Sequence, residues 1–283
     1  MTLSINEALR RGAARLNDAG ISEARREAGS LLSHVINRDR TFLIAHAEDL
    51  VSESEWVSFE SLLTRRAGGE PVQYIIGTQD FFGRTFRVTP SVLIPRPETE
   101  LLVEASLELM GAEAVICDVG TGSGCIAISL LCERDDARAR AIDISEPALA
   151  VARQNAQQHS VEGRIKFVSG DCFAGLDSSQ HQFDLIVSNP PYVSAGVLAG
   201  LQREVRDHEP LVALSPGADG LNVIRRLLVE ASEFIRGAGH LIMEIGFDQS
   251  EAVSSLVNTD VWFLVEIRPD LQGIPRVVVL QKI

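Results

Sequence analysis

The sequence contains no apolar run long enough to cross a membrane. A membrane-spanning helix needs about 18 or more apolar residues in succession, and no stretch of the 283 residues approaches this. The first residues, MTLSINEALRRGAARL, carry charges within their apolar pattern and have no small-residue cleavage site. They predict a folded helix and not a signal peptide. We therefore expect a cytoplasmic protein without membrane association.

Cysteine is scarce, and its spacing excludes the common zinc sites. The four cysteines form no C-x-x-C pair, and no histidine cluster completes a zinc ligand set. Cys117 and Cys125 adjoin apolar segments, where a buried thiol behaves as a small hydrophobic side chain. The sequence predicts reduced, structural cysteines and no metal.

An excess of basic residues is also missing. The formal net charge is −13, whereas proteins that bind nucleic acid usually carry a basic face to neutralise phosphates. Residues 1–75 hold nine arginines and eleven acidic residues, so they are nearly neutral and most of the negative charge lies in the remainder. We expect no direct binding to nucleic acid.

Helix signals dominate residues 1–75. Ser4 with Glu7 and Ser52 with Glu55 have the spacing of capping boxes, and each pair precedes apolar residues at helical intervals. Nothing in this region resembles a catalytic cluster. We predict a helical substrate-recognition domain.

The character of the chain changes after the first region. Aromatic and β-branched residues alternate over residues 72–94 around two glycines, a pattern typical of a hairpin. We predict a β-hairpin connector over residues 76–95 and a catalytic domain over residues 96–283.

Strands and helices alternate from residue 114 onward. Alternation of this kind predicts parallel strands with helices on both faces. The last two strands are joined by too few residues for a crossover helix, so they should be antiparallel neighbours. The predicted class is α/β with a seven-stranded, mostly parallel sheet that ends in an antiparallel hairpin, preceded by a small N-terminal helical bundle. This arrangement resembles the class I (Rossmann-like) methyltransferase fold. The predicted strands are residues 114–119, 137–143, 164–168, 183–188, 240–245, 261–267 and 276–283.

A glycine-rich turn follows the first of these strands. Alternate glycines allow the backbone to turn tightly and to approach a ligand, and Asp143, 19 residues after Gly124, is placed to accept hydrogen bonds from ribose hydroxyls. Asp171 and Cys172 follow the third strand, where an adenine edge would lie. The candidate cofactor-binding residues of the turn are Gly120, Thr121, Gly122, Ser123 and Gly124.

Two cofactors fit this turn. The segment from Gly122 to Ala127 matches G-x-G-x-x-A, and an acid about 20 residues on is what NAD binding requires. Asp118, just before the first glycine, favours S-adenosylmethionine, because an anion there would repel a pyrophosphate and tolerate a sulfonium cation. The turn alone does not separate the two cofactors.

The motif Asn189-Pro190-Pro191-Tyr192 follows the fourth strand directly. The Asn189 side-chain oxygen and the Pro190 carbonyl can accept both N–H bonds of a planar NH2 group, which directs its lone pair toward an incoming methyl group. Tyr192 offers a flat face to a planar acceptor. We predict Asn189, Pro190 and Tyr192 as catalytic and all four residues as substrate-binding, with Asn189 also touching the cofactor. This motif favours S-adenosylmethionine over NAD.

The assembled motifs resemble the PrmC/HemK family, which methylates a glutamine amide in class I peptide release factors. The most specific shared run is VLIPRPETE, beginning at Val92, and SNPPYV and DVGTGSGCIAI also match. The resemblance implies that Gly120–Gly124 and Asp143 hold S-adenosylmethionine, which is converted to S-adenosylhomocysteine, and that Asn189–Tyr192 hold the target glutamine of the Gly-Gly-Gln motif. The run at residues 95–100 fits two interpretations: it begins a helix whose positive end suits its acidic residues, or it sets Arg96 and Thr99 beside the cofactor and the acceptor entrance. Cys172 departs from the family, because some members have Trp there.

Three other functions each fit part of the sequence. An adenine-N6 nucleic-acid methyltransferase shares the N-P-P-Y motif, but the acidity of the chain disfavours it. A non-catalytic cofactor-binding scaffold conflicts with the intact Asn189 motif. An oxidoreductase would need a hydride-transfer His or a Tyr-Lys pair near a strand end, and the sequence offers neither.

Overall fold

The computed structural model of the chain describes residues 3–217 and 219–283. Two compact units are present. The smaller contains the residues up to Thr78 together with Gln202–His208, and the larger contains Gln79–Leu201 and Glu209–Ile283. No helix among the described residues is long and apolar enough to cross a bilayer.

The smaller unit is a bundle of short helices with one two-stranded antiparallel sheet. Its largest fully buried side chains come from four different helices and include Leu16, Leu31, Leu43 and Phe59. The elements are β1 (Leu3–Ser4), α1 (Ile5–Asp18), α2 (Ala24–Ile36), α3 (Arg40–Ala45), β2 (Leu50–Val51), α4 (Glu53–Ala67), α5 (Val72–Ile76) and, from later in the chain, α9 (Arg203–His208).

One of the two predicted capping boxes is complete. The Ser52 hydroxyl accepts from the Glu55 amide, and the Glu55 carboxylate accepts from the Ser52 amide. At α1 only the first half forms, since Ser4 accepts from the Glu7 amide at 3.3 Å. The Glu7 carboxylate instead accepts from two arginines one turn further along α1.

A buried arginine on α4 pairs with acidic residues on two other helices of the smaller unit. The Arg66 guanidinium on α4 donates to the Glu27 carboxylate on α2 and to Glu204 on α9. Arg66 and Glu27 are only 3% and 8% exposed. Because a buried charge is costly without a partner, this pairing constrains the packing of α2 against α4.

The predicted hairpin is shorter than its sequence pattern. It consists of β3 (Thr78–Phe81) and β4 (Arg84–Arg87), and residues 72–76 form α5 instead of a strand. A proline can precede the first turn of a helix, and Gly77, at φ +86°, ends this one in the left-handed region. Phe82 and Gly83 both have positive φ in the hairpin turn, and the Phe82 amide donates to the Glu100 carboxylate at 2.8 Å.

The larger unit is built on a seven-stranded sheet, as predicted. Five adjacent strands, β9, β8, β5, β6 and β7, are parallel, while β11 is antiparallel to both β9 and β10. The order across the sheet is β10-β11-β9-β8-β5-β6-β7. The strands are β5 (Val115–Val119), β6 (Arg138–Asp143), β7 (Ile165–Ser169), β8 (Phe183–Ser188), β9 (Ile235–Glu244), β10 (Trp262–Pro269) and β11 (Pro275–Lys282).

Helices cover both faces of this sheet. Alternate residues of a strand point to opposite faces, so Val277 and Val279 join one apolar cluster with α6 and α7, while Val278 and Leu280 join the other with α11 and α12. The chain leaves β5 toward β6 and β7 and then returns to β8 on the other side of β5. Ligands of open α/β sheets bind at the carboxyl ends of strands where the order reverses in this way. The helices are α6 (Glu100–Leu109), α7 (Cys125–Glu133), α8 (Glu146–Gln158), α10 (Leu211–Leu214), α11 (Asn222–Phe234) and α12 (Ser250–Leu256).

We expect Glu27→Gln to lower the stability of the smaller unit by about 1.5–3 kcal/mol, because it removes the more buried of the two charged partners of the Arg66 guanidinium and leaves only Glu204. Hydrogen exchange of the α2 and α4 amides would measure this loss. The matched control is Glu7→Gln, which breaks exposed ion pairs of α1 and should leave exchange in α2 and α4 unchanged. Unaltered protection of these amides in Glu27→Gln would contradict the expectation.

Candidate active site

The turn between β5 and α7 depends on three glycines. Gly120, Gly122 and Gly124 have φ values of +75°, +56° and +81°, a region that other residues rarely adopt. At Gly120 and Gly122 an added Cβ would meet no atom within 4 Å, so conformation and not space requires glycine there. At Gly124 a Cβ would also lie 2.8 Å from the Ile128 side chain. The turn therefore exposes its backbone on one side and packs closely on the other.

Asp118 supports this turn from within. It is completely buried, and its Oδ2 accepts from the Thr121 hydroxyl at 2.7 Å and from the Ala127 amide at 3.3 Å. Its Oδ1 has no hydrogen-bond partner among the described residues. Burial raises the pKa of Asp118 to about 7, against the effect of the two donors. Asp118 does not line the cavity described below, so any effect of its charge on a bound cofactor acts through the turn and not by direct contact.

Asp143 closes the turn from the end of β6. Its Oδ2 accepts from the Gly122 amide and its Oδ1 from the Ser145 amide, both at 2.8 Å. Burial raises the pKa of the Asp143 carboxyl, although these backbone donors oppose the shift. Each oxygen keeps further lone-pair capacity, so Asp143 can hold the turn and accept from a ligand.

A cavity of about 270 Å³ lies at these strand ends, close to the lower limit for small-molecule sites. Gly124 and Tyr192, although predicted as site residues, do not line it. Arg96 and Thr99 do line it, and Ile144 beside Asp143 is a lining residue that the sequence did not single out. The predicted site residues that line the cavity are Gly120, Thr121, Gly122, Ser123, Asp143, Asp171, Cys172, Asn189, Pro190 and Pro191.

Two of these residues carry features of their own. Cys172 has φ +52° and is 6% exposed, and burial raises the pKa of its thiol to about 11. The Asp171 carboxylate accepts from the Arg226 guanidinium at 2.7 Å.

All four cysteines are free thiols. In the described ranges no group of three or more His, Cys, Asp or Glu side chains could hold a metal ion.

The N-P-P-Y motif meets a buried acid that the sequence analysis missed. The Asn189 Nδ2 donates to Thr99 Oγ1 at 3.0 Å, and the Tyr192 hydroxyl donates to Glu244 Oε1 at 3.0 Å. Glu244 ends β9 and is 1% exposed, and burial raises its pKa. Burial, together with the neighbouring Glu244 charge, also raises the pKa of Tyr192. An acid at the end of the apolar run HLIMEI is the signal that could have revealed Glu244.

Fold and site together define a methyltransferase domain of the doubly wound, class I type. A family model described as the PrmC N-terminal domain matches residues 7–77, and one described as the methyltransferase small domain matches residues 97–203. The release factor glutamine methyltransferase of Nitratidesulfovibrio vulgaris is 44% identical over 271 residues, which cover 95% of this chain and 92% of that one. The chain belongs to the family of release factor glutamine methyltransferases. The family and fold class predicted from the sequence are confirmed.

A second curated relative agrees with the family assignment, and a solved structure agrees with the fold. The release factor glutamine methyltransferase of Cereibacter sphaeroides is 44% identical, with 96% of each chain covered. A solved methyltransferase structure from Pyrococcus furiosus covers 71% of this chain and 90% of that one, with a TM-score of 0.53 and 17% identity. At that identity the likeness shows the fold alone.

We expect the pKa of Asp118 to make stability pH-dependent. Its pKa is raised from 3.8 to about 7 in the folded chain. The stability that Asp118 contributes is therefore fully present below about pH 4 and is lost as the pH rises through 7. Asp118→Asn should therefore lose less stability than the wild type between pH 4 and 7, as measured by melting temperatures across this range.

A control of opposite sign is available on the surface. Hydrogen bonds from Arg134 lower the pKa of Asp136 to about 2, so Asp136→Asn should alter the profile only below about pH 4. If Asp118→Asn kept the wild-type profile between pH 4 and 7, the assigned pKa would be wrong.

Proposed function

We propose that this chain transfers a methyl group from S-adenosylmethionine to the side-chain amide nitrogen (N5) of the glutamine in the Gly-Gly-Gln motif of class I peptide release factors. The observation that carries the proposal is that Asn189 lines the same cavity as the glycine turn and Asp143. Its Oδ1 forms no hydrogen bond with any described residue, since its one side-chain bond runs from Nδ2 to Thr99. A hydrogen-bond acceptor is thus free where a ligand would bind.

The cofactor residues suit S-adenosylmethionine. Gly120 and Gly122 present open backbone to the cavity, and Gly124 holds the turn against α7 and α8. Asp143 has acceptor capacity for ribose hydroxyls, and Asp171 and Cys172 line the cavity where adenine would be held. When bound, S-adenosylmethionine supplies an electrophilic methyl group on a positively charged sulfur. It leaves the reaction as S-adenosylhomocysteine. Asn189 belongs to this set as well as to the acceptor site.

The acceptor residues suit a planar amide. An amide nitrogen is a poor nucleophile because its lone pair is delocalised into the carbonyl group. The Asn189 Oδ1 and the Pro190 carbonyl accept its two N–H bonds, which directs the lone pair and stabilises positive charge developing on the nitrogen. Pro191 has no N–H to compete for these acceptors. No base is needed before attack, because the amide proton becomes acidic only as the N–C bond forms and the C–S bond breaks. That proton then leaves to solvent water, which gives the neutral N-methyl amide.

The proposal also assigns a role to each of three segments of the chain. Residues 1–75 serve as the substrate-recognition domain, residues 76–95 as the connector, and residues 96–283 as the methyltransferase domain. Support comes from three large apolar side chains of the smaller unit, Ile44, Leu50 and Val57, which are 72%, 67% and 61% exposed and could contact a protein partner. The net charge of −13 supports a protein substrate over nucleic acid. The cytoplasm is the expected location.

We expect the purified chain to transfer labelled methyl groups to an intact class I release factor. Peptide mass mapping should place one methyl group on the glutamine of its Gly-Gly-Gln motif. The control substrate is the same release factor with that glutamine replaced by alanine, which should stay unlabelled. Label found only on adenine of added DNA or RNA would reject this function in favour of nucleic-acid methylation.

We expect Asn189→Ala to separate turnover from cofactor binding. Removing one aligned dipole at a reacting atom typically slows a reaction about 10²- to 10³-fold. Calorimetry should show little change in S-adenosylmethionine affinity, because the glycine turn and Asp143 provide most of the cofactor contacts and Asn189 adds only one. The contrasting variant is Asp143→Ala, which should weaken cofactor binding by about 1.5–3 kcal/mol and regain much of its rate at saturating cofactor. If Asn189→Ala weakened cofactor binding as much as Asp143→Ala does, the proposed role of Asn189 at the acceptor nitrogen would be wrong.

A further inference from the structure

The side chains of Asn189, Thr99, Glu244 and Tyr192 form one hydrogen-bonded series, called the relay below, at the acceptor side of the cavity. Asn189 Nδ2 donates to Thr99 Oγ1 at 3.0 Å, and Thr99 Oγ1 donates to Glu244 Oε2 at 2.6 Å. The Tyr192 hydroxyl donates to Glu244 Oε1 at 3.0 Å. Thr99 and Glu244 are 2% and 1% exposed, so water does not compete for these bonds.

The donors and acceptors of these groups fix the direction of each hydrogen bond in the relay. An ionised carboxylate only accepts hydrogen bonds, and a threonine hydroxyl has a single proton to donate. Because that proton is used on Glu244, Thr99 can offer only a lone pair to Asn189. The amide nitrogen of Asn189 must therefore face Thr99, and its Oδ1 must face the cavity.

The opposite orientation of Asn189 would be doubly unfavourable. Rotating the amide would set Oδ1 against a lone pair of Thr99 and lose a buried hydrogen bond. It would also present an NH2 group to the NH2 group of the acceptor, where neither can accept. Two hydroxyl donors and the nearby Arg276 charge favour the ionised form of Glu244, although burial raises its pKa.

We infer that Glu244 is a positioning residue that acts through Thr99 to hold Asn189 Oδ1 toward the acceptor amide, and through Tyr192 to hold the end of the N-P-P-Y motif. Glu244 does not line the cavity and so acts at a distance. Thr99 lines the cavity but is engaged on both sides by Asn189 and Glu244. The inference rests on the proposed function, since it takes glutamine methylation as the reaction.

Thr99 variants test the relay kinetically. Thr99→Val has nearly the same shape without the hydroxyl and should lower kcat for release-factor methylation about 10- to 100-fold, with little change in KM or in S-adenosylmethionine affinity. Thr99→Ser restores the hydroxyl and should recover most of the turnover. The matched control is Ser106→Ala on α6, which removes a buried hydroxyl that donates to the Leu102 carbonyl within the same helix. It should leave turnover unchanged.

Glu244→Gln and a double variant sharpen the test. The Gln amide can donate to Thr99 and so reverse the relay, and it should lower kcat as Thr99→Val does. If Thr99 acts through Asn189, adding Thr99→Val to Asn189→Ala should change kcat less than about twofold. Full turnover in Thr99→Val, failure of Thr99→Ser to recover it, or an undiminished effect in the Asn189→Ala background would each overturn the inference.

A spectroscopic readout separates this inference from the proposed function. In the wild type with ¹⁵N-labelled asparagine, the Asn189 side-chain NH2 should show one proton with slowed solvent exchange, without any substrate present. The protection should vanish in Thr99→Val and persist in Thr99→Ser. If both Asn189 protons exchange at solvent rates in the wild type, the relay is refuted even if release factor is methylated. Protection of Asn189 without methylation of release factor would refute the proposed function and leave the relay standing.

Discussion

The parallel alignment of β5 with β6 and β8 is the constraint on which the site depends. Parallel strands that share a register end at the same edge of the sheet, so the glycine turn after β5, Asp143 at the end of β6 and Asn189 after β8 meet there. The order reverses beside β5, which leaves room for a cavity between the connections. Helices on both faces bury the strands, so the edge that carries the site is held rigidly.

Two buried carboxyl groups, Asp118 and Glu244, and the half-buried Asp143 perform different tasks because their donors differ. Asp118 accepts from Thr121 in the glycine turn and from Ala127 in the first turn of α7, and so supports the glycine backbone. Asp143 accepts two backbone amides and still faces the cavity. Glu244 accepts hydrogen bonds from two side-chain hydroxyls, those of Thr99 and of Tyr192 in the N-P-P-Y motif. Burial raises the pKa of all three, and the exposed lone pairs, not the charge alone, decide which of them can bind a ligand.

Much of the fold follows from local patterns. The strand β8 has the predicted bounds Phe183–Ser188, and the antiparallel end of the sheet was predicted because the link between β10 and β11 is short. Residues 72–76 were predicted as extended but are helical, since apolar residues in so short a segment fit either period. The grouping of residues 202–208 with the smaller unit has no local signal, because it depends on contacts such as Arg66 with Glu204.

The sequence by itself determined the class of fold, the glycine turn, Asp143 and the N-P-P-Y motif, because backbone conformation and strand–helix alternation are encoded by neighbouring residues. Tertiary structure alone decided which way each polar side chain faces. Asp118 turns inward to Thr121 and away from the cavity, and Glu244 meets Thr99 across 145 residues of sequence. Such contacts depend on the order of strands in the sheet, and on which partner each hydroxyl proton reaches. Neighbouring residues in the sequence predict neither of these.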